Sequence, residues 1–376
     1  MDLTQLETPA LVVDVARLDA NVARLREKIG TLGVALRPHV KTCKSIDVAR
    51  LAMPTTKGPI TVSTLKEADY FASHGVTDML YAVGITPNKL DHVARLMAGG
   101  TDLKIVLDSV DAAQAVAERG RALRVRYRSI LEIDCDGHRS GIRPEDPVLF
   151  DIAGVLRESG AELLGVMTHA GESYHCKSTD EIRTLAEQER RAVVDVAASL
   201  RTAGFSIPIV SVGSTPTAMF AATLDGVTEV RAGVYMFFDL VMVGLGVCKV
   251  DDIALSVLTS VVGHQKDKGW IITDAGWMAM SRDRGTEKQR IDHGYGMVCD
   301  ADGRPMDDLI VVDANQEHGI IAARDGTKKA DGTRVPVGTL LRILPNHACA
   351  TGAQHSEYKV VRGSRAIEAV WPRLHG

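Results

Sequence analysis

The residues of this chain with the types and spacing to do chemistry lie in a few short segments. One is Arg37-Pro38-His39-Val40-Lys41-Thr42-Cys43-Lys44-Ser45, which closes a β-branched run and sets Lys41 at a strand end. A lysine held against apolar walls gives up its proton more readily and can form a Schiff base, although a strand-end lysine by itself reads first as a solvated charge. A second segment is Pro345-Asn346-His347-Ala348-Cys349-Ala350-Thr351. On an extended strand, residues two apart point to the same side, so His347 and Cys349 could share one zinc ion. An N/S pair with the remaining coordination open describes a catalytic rather than a structural site.

Four further segments carry polar groups: Gly137-His138-Arg139-Ser140-Gly141, His169-Ala170-Gly171-Glu172-Ser173-Tyr174, Gly213-Ser214-Thr215-Pro216-Thr217, and Glu229-Val230-Arg231-Ala232-Gly233-Val234-Tyr235. The Gly-Ser-Thr loop leaves backbone N–H groups and hydroxyls for an anion, and Gly233 permits close backbone approach. Cys43 reads as a structural thiol at the rim. Asp274-Ala275-Gly276-Trp277 reads as shaping a strand end.

The elements that must position these groups alternate in type. After a first run, Ala10–Val15, and an amphipathic stretch through Leu18, Val22, Leu25 and Ile29, eight strands are expected. They are Ala35–Lys41, Pro59–Ser63, Asp78–Val83, Asp102–Asp108, Ser129–Asp134, Glu162–His169, Ile207–Gly213 and Thr228–Tyr235. Helix-compatible segments separate most of them, among them Leu65–His74 and Asp180–Ala203, the latter with Glu187, Glu189 and Arg190-Arg191 on a solvated face. Eight strands alternating with helices suit an α/β chain built on a (β/α)₈ TIM barrel, whose chemistry sits at the C-terminal strand ends. A doubly wound sheet uses the same alternation but usually opens on a glycine-rich turn, and GxGxxG does not occur.

Beyond residue 246 the pattern turns to short strands, at Ala254–Val262, Gly269–Asp274, Leu309–Val312, Thr339–Ile343 and Tyr358–Val361, separated by turns. That predicts a C-terminal antiparallel β domain. The expected division is a barrel over 16–245, with 1–15 and 246–376 forming the β domain that carries His347 and Cys349.

Composition removes other classes of function. The 376 residues hold 44 basic and 48 acidic side chains, a net charge of −4 without like-charge blocks, so nucleic acid is not an expected partner. No run approaches the about 18 apolar residues of a membrane span, and the polar, acidic start lacks a secretory signal. Six cysteines are scattered without CxxC, as expected of reduced thiols in a cytoplasmic chain.

Taken together, Arg37–Thr42, Gly213–Thr215, Arg231–Tyr235 and Asn346–Cys349 resemble the fold-type III pyridoxal-phosphate enzymes acting on D-hydroxyamino acids. These are the D-serine dehydratase and D-threonine aldolase group, related in fold to alanine racemase. The resemblance runs from Thr8 to Trp371. Ile60–Ala68, Gly226–Leu240, Gly269–Thr286, Asn315–Gly319 and Arg342–Gln354 resemble the members that use D-threo-3-hydroxyaspartate.

The resemblance implies that Lys41 carries the cofactor, Arg139 approaches its phenolic oxygen and His169 lies against its ring. It also implies that Thr215 with the Gly233 and Val234 backbone holds the phosphate, and that His347 and Cys349 bind Zn2+ or another divalent metal. Arg231 and Tyr174 both match positions that face the pyridine nitrogen. A homodimer is implied as well.

The aldolases carry His and Asp where this chain has His347 and Cys349, which favours elimination of water over retro-aldol cleavage. Lys41 is then the catalytic base, and the product of D-threo-3-hydroxyaspartate is oxaloacetate with ammonia; D-serine is a second possible substrate. A second carboxylate on the substrate would suit Arg282 or Arg284, in a segment that reads equally as a solvated turn with an Arg–Asp pair. The alternatives are a metal-dependent aldolase and a non-catalytic pyridoxal-phosphate carrier. Carriers resemble the barrel alone, so residues 246–376 argue against the second.

Overall fold

A computed structural model describes residues 1–375. The chain divides into two compact units, one built from Met1–Ala23 with Val234 onward, the other from Arg24–Gly233. Strand β1 (Ala10–Asp14) and helix α1 (Val15–Thr31) come first. There follow β2 (Ala35–Pro38), α2 (Ile46–Ala52), β3 (Ile60–Val62), α3 (Leu65–Ser73), β4 (Asp78–Gly84), α4 (Leu90–Ala98), β5 (Asp102–Leu107) and α5 (Val110–Leu123). Next are β6 (Arg128–Ile133), α6 (Val148–Ser159), β7 (Glu162–Thr168), α7 (Thr179–Thr202), β8 (Ile209–Val212), α8 (Thr215–Phe220) and β9 (Glu229–Ala232).

Strands β2 to β9 form an eight-stranded parallel sheet in the order β2-β9-β8-β7-β6-β5-β4-β3. A single parallel bridge, His39 to Thr61, links its two ends, so the barrel is nearly closed. Leu80, Val106, Ile130 and Met167, from four successive strands, pack as one buried cluster. Local sequence sets the helix starts: Thr64, Ser109, Ser178 and Ser214 each accept a backbone N–H of the helix they precede. All eight expected barrel strands are present, and β2 is shorter than expected. The strand proper ends at Pro38, His39 adds only the bridge to Thr61, and residues 40–43 form a turn in which the Lys44 N–H bonds the Val40 carbonyl at 2.7 Å.

At the N-terminal end of the barrel the strands begin with charges. Arg37 bonds Glu229 and Asp78 at 2.8 Å each, Lys104 bonds Asp78 at 2.7 Å and Asp102 at 2.8 Å, and Arg128 bonds Asp102 and, at 3.2 Å, Glu162. Buried charges persist because each finds an opposite one. This belt places Arg37, part of the Lys41 motif, away from the C-terminal strand ends.

The other unit holds α9 (Leu240–Gly244), β10 (Leu255–Gln265), β11 (Trp270–Thr273), α10 (Trp277–Met280), β12 (Met297–Asp300), β13 (Pro305–Ala314), β14 (Gly319–Ala323), β15 (Leu340–Leu344), α11 (Ala348–Gly352), β16 (Glu357–Val361) and β17 (Ile367–Pro372). With β1 these make a nine-stranded sheet ordered β11-β14-β13-β12-β15-β10-β1-β16-β17. Strand β1 pairs here as expected, antiparallel to β10 with Ala10 opposite Leu258. Its pairing with β16 is parallel, an exception in an otherwise antiparallel sheet. Leu3, Ala10, Val12, Leu258 and Val361 form its buried cluster. Strands β12, β14 and β17 were not expected; β12 and β14 are apolar runs of only four and five residues, and β17 alternates between half-buried and exposed positions at the sheet's edge. Among the described residues no helix is long and apolar enough to cross a membrane, and all six cysteines are free.

Candidate active site

The residues expected to hold a cofactor lie, as the barrel rule requires, at the C-terminal strand ends. Lys41 follows β2 and is exposed. The imidazoles of His39 and His169 both lie near enough to feel its charge. His39 is held well below the ordinary histidine range, first by burial and then by the charges of Lys41 and Arg231. His169 follows β7 and places Nδ1 2.6 Å from the Gly213 carbonyl oxygen. Burial, then the nearby Arg139 charge, push its pKa down to about 3, so it is a neutral ring whose Nδ1–H donates to that carbonyl. The Tyr174 ring centre lies 6.3 Å from that of His169.

Arg139 is exposed in the loop after β6. Arg231 is buried in β9; its guanidinium donates to Ser211 Oγ and to the Thr168 carbonyl, both at 2.5 Å. Ser211 in turn donates to Glu229 at 2.8 Å, so Arg231 joins the barrel's interior charge network.

The small-residue loop is more occupied than the sequence suggests. Ser214 and Thr217 form a reciprocal cap at the start of α8, and Ser214 Oγ lies 2.9 Å from Ser173 Oγ. The Gly213 N–H donates to Glu189 Oε1 at 3.0 Å, as does the Ala170 N–H. Glu189 was expected on a solvated face of α7, yet it is 2 % exposed and turned inward to fasten these two loops. Glu187, Arg190 and Arg191 do pair with one another at the surface.

Thr215 is buried at the first position of α8. A Cβ on Gly213 would stand 1.8 Å from the Arg231 carbonyl oxygen, and one on Gly233 would stand 2.7 Å from that of His39. Glycine is required at both positions because the chain's own backbone approaches there. Val234, next in sequence, is buried. A lysine at a strand end, a neutral histidine, glycines without room for a side chain and a capped helix start suit a carbonyl-bearing cofactor with a phosphate group.

The second group lies within the β-rich unit. His347 and Cys349 do not share a strand as expected: β15 ends at Leu344, His347 is extended and caps α11, and Cys349 lies in that helix's first turn. The pair nevertheless meets, since the His347 ring is hydrogen-bonded to Cys349. Its Nδ1 lies 2.6 Å from Asp283 Oδ2. Asp239, buried before α9, accepts the Ala348 N–H at 3.0 Å and the Met242 N–H at 3.1 Å. Asn346 donates to the carbonyls of Asp283 at 3.0 Å and Gly294 at 2.7 Å, which fixes the 283–294 segment beside His347.

Burial opposes charge on the His347 ring, but the bonds to Asp283 and Cys349 and the charge of Asp239 push its pKa up to about 11. A place so rich in negative charge, with a histidine oriented by a carboxylate and a thiol beside it, fits a borderline-soft divalent cation. In the sequence Asp283 sits in a turn beside arginines, and Asp239 carries no signal beyond its position before a short helix. Arg284 pairs with Asp292 at 2.7 Å rather than with Asp283, and Arg282 is exposed and stacks on Trp277 at 4.2 Å. Asp274 accepts from Thr8, Thr259 and Ser260, and Cys43 is fully buried, so both are structural.

A parallel barrel with a lysine at its C-terminal mouth, and a β-rich unit bearing a histidine–cysteine pair, define a class of two-part lyase and racemase chains. The alanine racemase N-terminal domain matches residues 13–241, and the serine dehydratase domain matches residues 254–361. The D-threo-3-hydroxyaspartate dehydratase of Delftia sp. (strain HT23) is 54% identical over all of this chain and 99% of its own length. The D-serine dehydratase of Dictyostelium discoideum is 28% identical over 100% of this chain and 98% of its own. A solved D-threo-3-hydroxyaspartate dehydratase structure, a cysteine-to-alanine mutant in the metal-free form, superimposes with TM-score 0.97 at 53% identity and covers 100% of both chains. The chain belongs to the pyridoxal-phosphate-dependent family of D-serine and D-threo-3-hydroxyaspartate dehydratases, whose fold is that of alanine racemase.

Proposed function

We propose that the chain is a pyridoxal-phosphate- and zinc-dependent dehydratase that converts D-threo-3-hydroxyaspartate to oxaloacetate and ammonia. The observation that carries this reading is 54% identity over the whole chain to a dehydratase of that substrate. Lys41 would hold the cofactor through Nζ and, once the substrate's amino group has displaced it, its free amine would take the α-proton as general base. Pyridoxal phosphate supplies the sink for the electrons left at Cα. His169, fixed by the Gly213 carbonyl, would lie against the cofactor ring, and Arg139 would serve its phenolic oxygen. Thr215 and the Gly233 and Val234 backbone take the phosphate, while Arg231 and Tyr174 are the two candidates for the pyridine nitrogen.

His347 and Cys349, in the β-rich domain, would hold the metal, with Asp283 orienting the His347 ring. Zinc there would act as a Lewis acid toward a β-hydroxyl leaving group. Loss of water leaves an enamine that tautomerises and hydrolyses to the 2-oxo acid and ammonia. Arg282 remains a candidate for the second carboxylate; Arg284 is engaged by Asp292. The family likeness supports a homodimer, tested by light scattering for twice the mass of one chain. Six free cysteines suit the cytoplasm.

Incubation with D-threo-3-hydroxyaspartate is the deciding experiment. Oxaloacetate with ammonia is expected. Glycine with glyoxylate would overturn this reading in favour of the aldolase, the activity that the family's aldolase members make the second candidate.

A further inference from the structure

Among the described residues, one group of metal-ligating side chains stands apart from those assigned above. His138, Glu172 and His175 each offer a ligand atom, and these atoms lie within 4.8 Å of one another. His138 comes from the loop after β6, and Glu172 and His175 from the turn after β7. His138 Nδ1 is 2.9 Å from Glu172 Oε1, and His175 Nδ1 is 3.3 Å from Glu172 Oε2, so each carboxylate oxygen faces one imidazole. All three are exposed, which lets an ion enter and lets water complete its shell.

The loops beneath them are built to hold this arrangement. Asp136 Oδ2 accepts the Glu172 N–H at 2.9 Å and its Oδ1 accepts the His138 N–H at 3.2 Å, so one carboxylate ties together the backbones of two of the three groups. Gly171 lies directly under the His138 ring, where a Cβ would stand 2.2 Å from its Cδ2. Any side chain at 171 would push His138 off Glu172. A casual surface ion pair needs neither constraint.

We propose that His138, Glu172 and His175 form a second divalent-metal site, made of residues other than His347 and Cys349. Two imidazoles and one carboxylate suit Zn2+ and its late first-row neighbours, whereas Mg2+ and Ca2+ prefer all-oxygen shells. An ion here takes over the contacts that the two rings now make to Glu172, and Asp136 keeps the two loops in register around it. Arg139 follows His138, and Tyr174 lies between Glu172 and His175, so an ion here would pin the loops that carry both. That consequence rests on assigning Arg139 and Tyr174 to the cofactor; the site itself does not.

The test is calorimetric titration of the holoenzyme with Zn2+, with bound metal counted by mass spectrometry. The expected result is uptake of one equivalent beyond that assigned to His347 and Cys349. The double variant His138→Gln, His175→Gln should lose this equivalent, and His347→Ala should keep it. Asp136→Asn should weaken it about 10- to 100-fold, the usual cost of losing a group that orients a ligand. A parent protein that takes up no further ion would overturn the proposal, as would a double variant that binds as much as the parent. If His347→Ala leaves all uptake in place, the reading of the His347 and Cys349 pair fails while this site stands.

Discussion

His347 Nδ1 is engaged by Asp283 at 2.6 Å, and the same ring is hydrogen-bonded to Cys349. A carboxylate in that position fixes the ring's orientation and raises its basicity. Asp283→Asn is therefore expected to lower Zn2+ affinity about 10- to 100-fold with little change in fold, as read by competition with a chromophoric chelator. His169 offers a pH test. Its pKa is about 3 in the folded chain against an ordinary value of 6.5. Between those values the unfolded chain binds a proton that the folded chain does not, so this group's stabilisation is complete above about pH 6.5 and is lost as pH falls through about 3. The urea midpoint of the wild-type protein should fall from pH 7 to pH 5, and His169→Gln should flatten that fall. An equal fall in both proteins would remove His169 as a cause.

At the scale of elements, the barrel separates support from chemistry along each strand. Strand β9 shows it: Glu229 at its start joins the charge belt, Arg231 reaches Ser211 and Thr168, and Gly233 just past its end packs under His39. Arg37 is the belt's most buried member, 4 % exposed, and bridges β9 and β4 through Glu229 and Asp78. Truncating one partner of a buried ionic network leaves the others unpaired, so Arg37→Ala should destabilise the chain by about 3–5 kcal/mol in denaturant titration. A change below about 1 kcal/mol would mean that the belt is solvated and dispensable.

At the scale of the molecule, Lys41, Arg139, His169, Thr215 and Gly233 belong to one compact unit and His347 and Cys349 to the other, so on the proposed function removing one ligand should leave the other's binding intact. Treatment with chelator is expected to abolish turnover, with recovery on adding Zn2+, while the visible absorbance of the cofactor on Lys41 persists. Lys41→Ala should do the reverse, losing the absorbance and keeping the metal. Turnover unaffected by exhaustive metal removal would end the role given to zinc.

Much of this was legible in the amino-acid sequence. Eight barrel strands follow from β-branched runs alternating with amphipathic stretches, because period and turn chemistry are local properties. The positions of Lys41, Arg139, His169, Thr215 and Gly233 follow once those strands are ordered, since a barrel presents its C-terminal strand ends together. What the tertiary structure alone decided is which polar groups face one another. Asp283 meets His347 across 64 residues, Glu189 turns inward to Gly213 and Ala170, and Arg37 serves the belt rather than the mouth. The His347 and Cys349 pair converges through a helix start instead of a strand. A charged side chain carries the same local signal whether it is solvated or buried, and only its partner, distant in sequence, determines which it is.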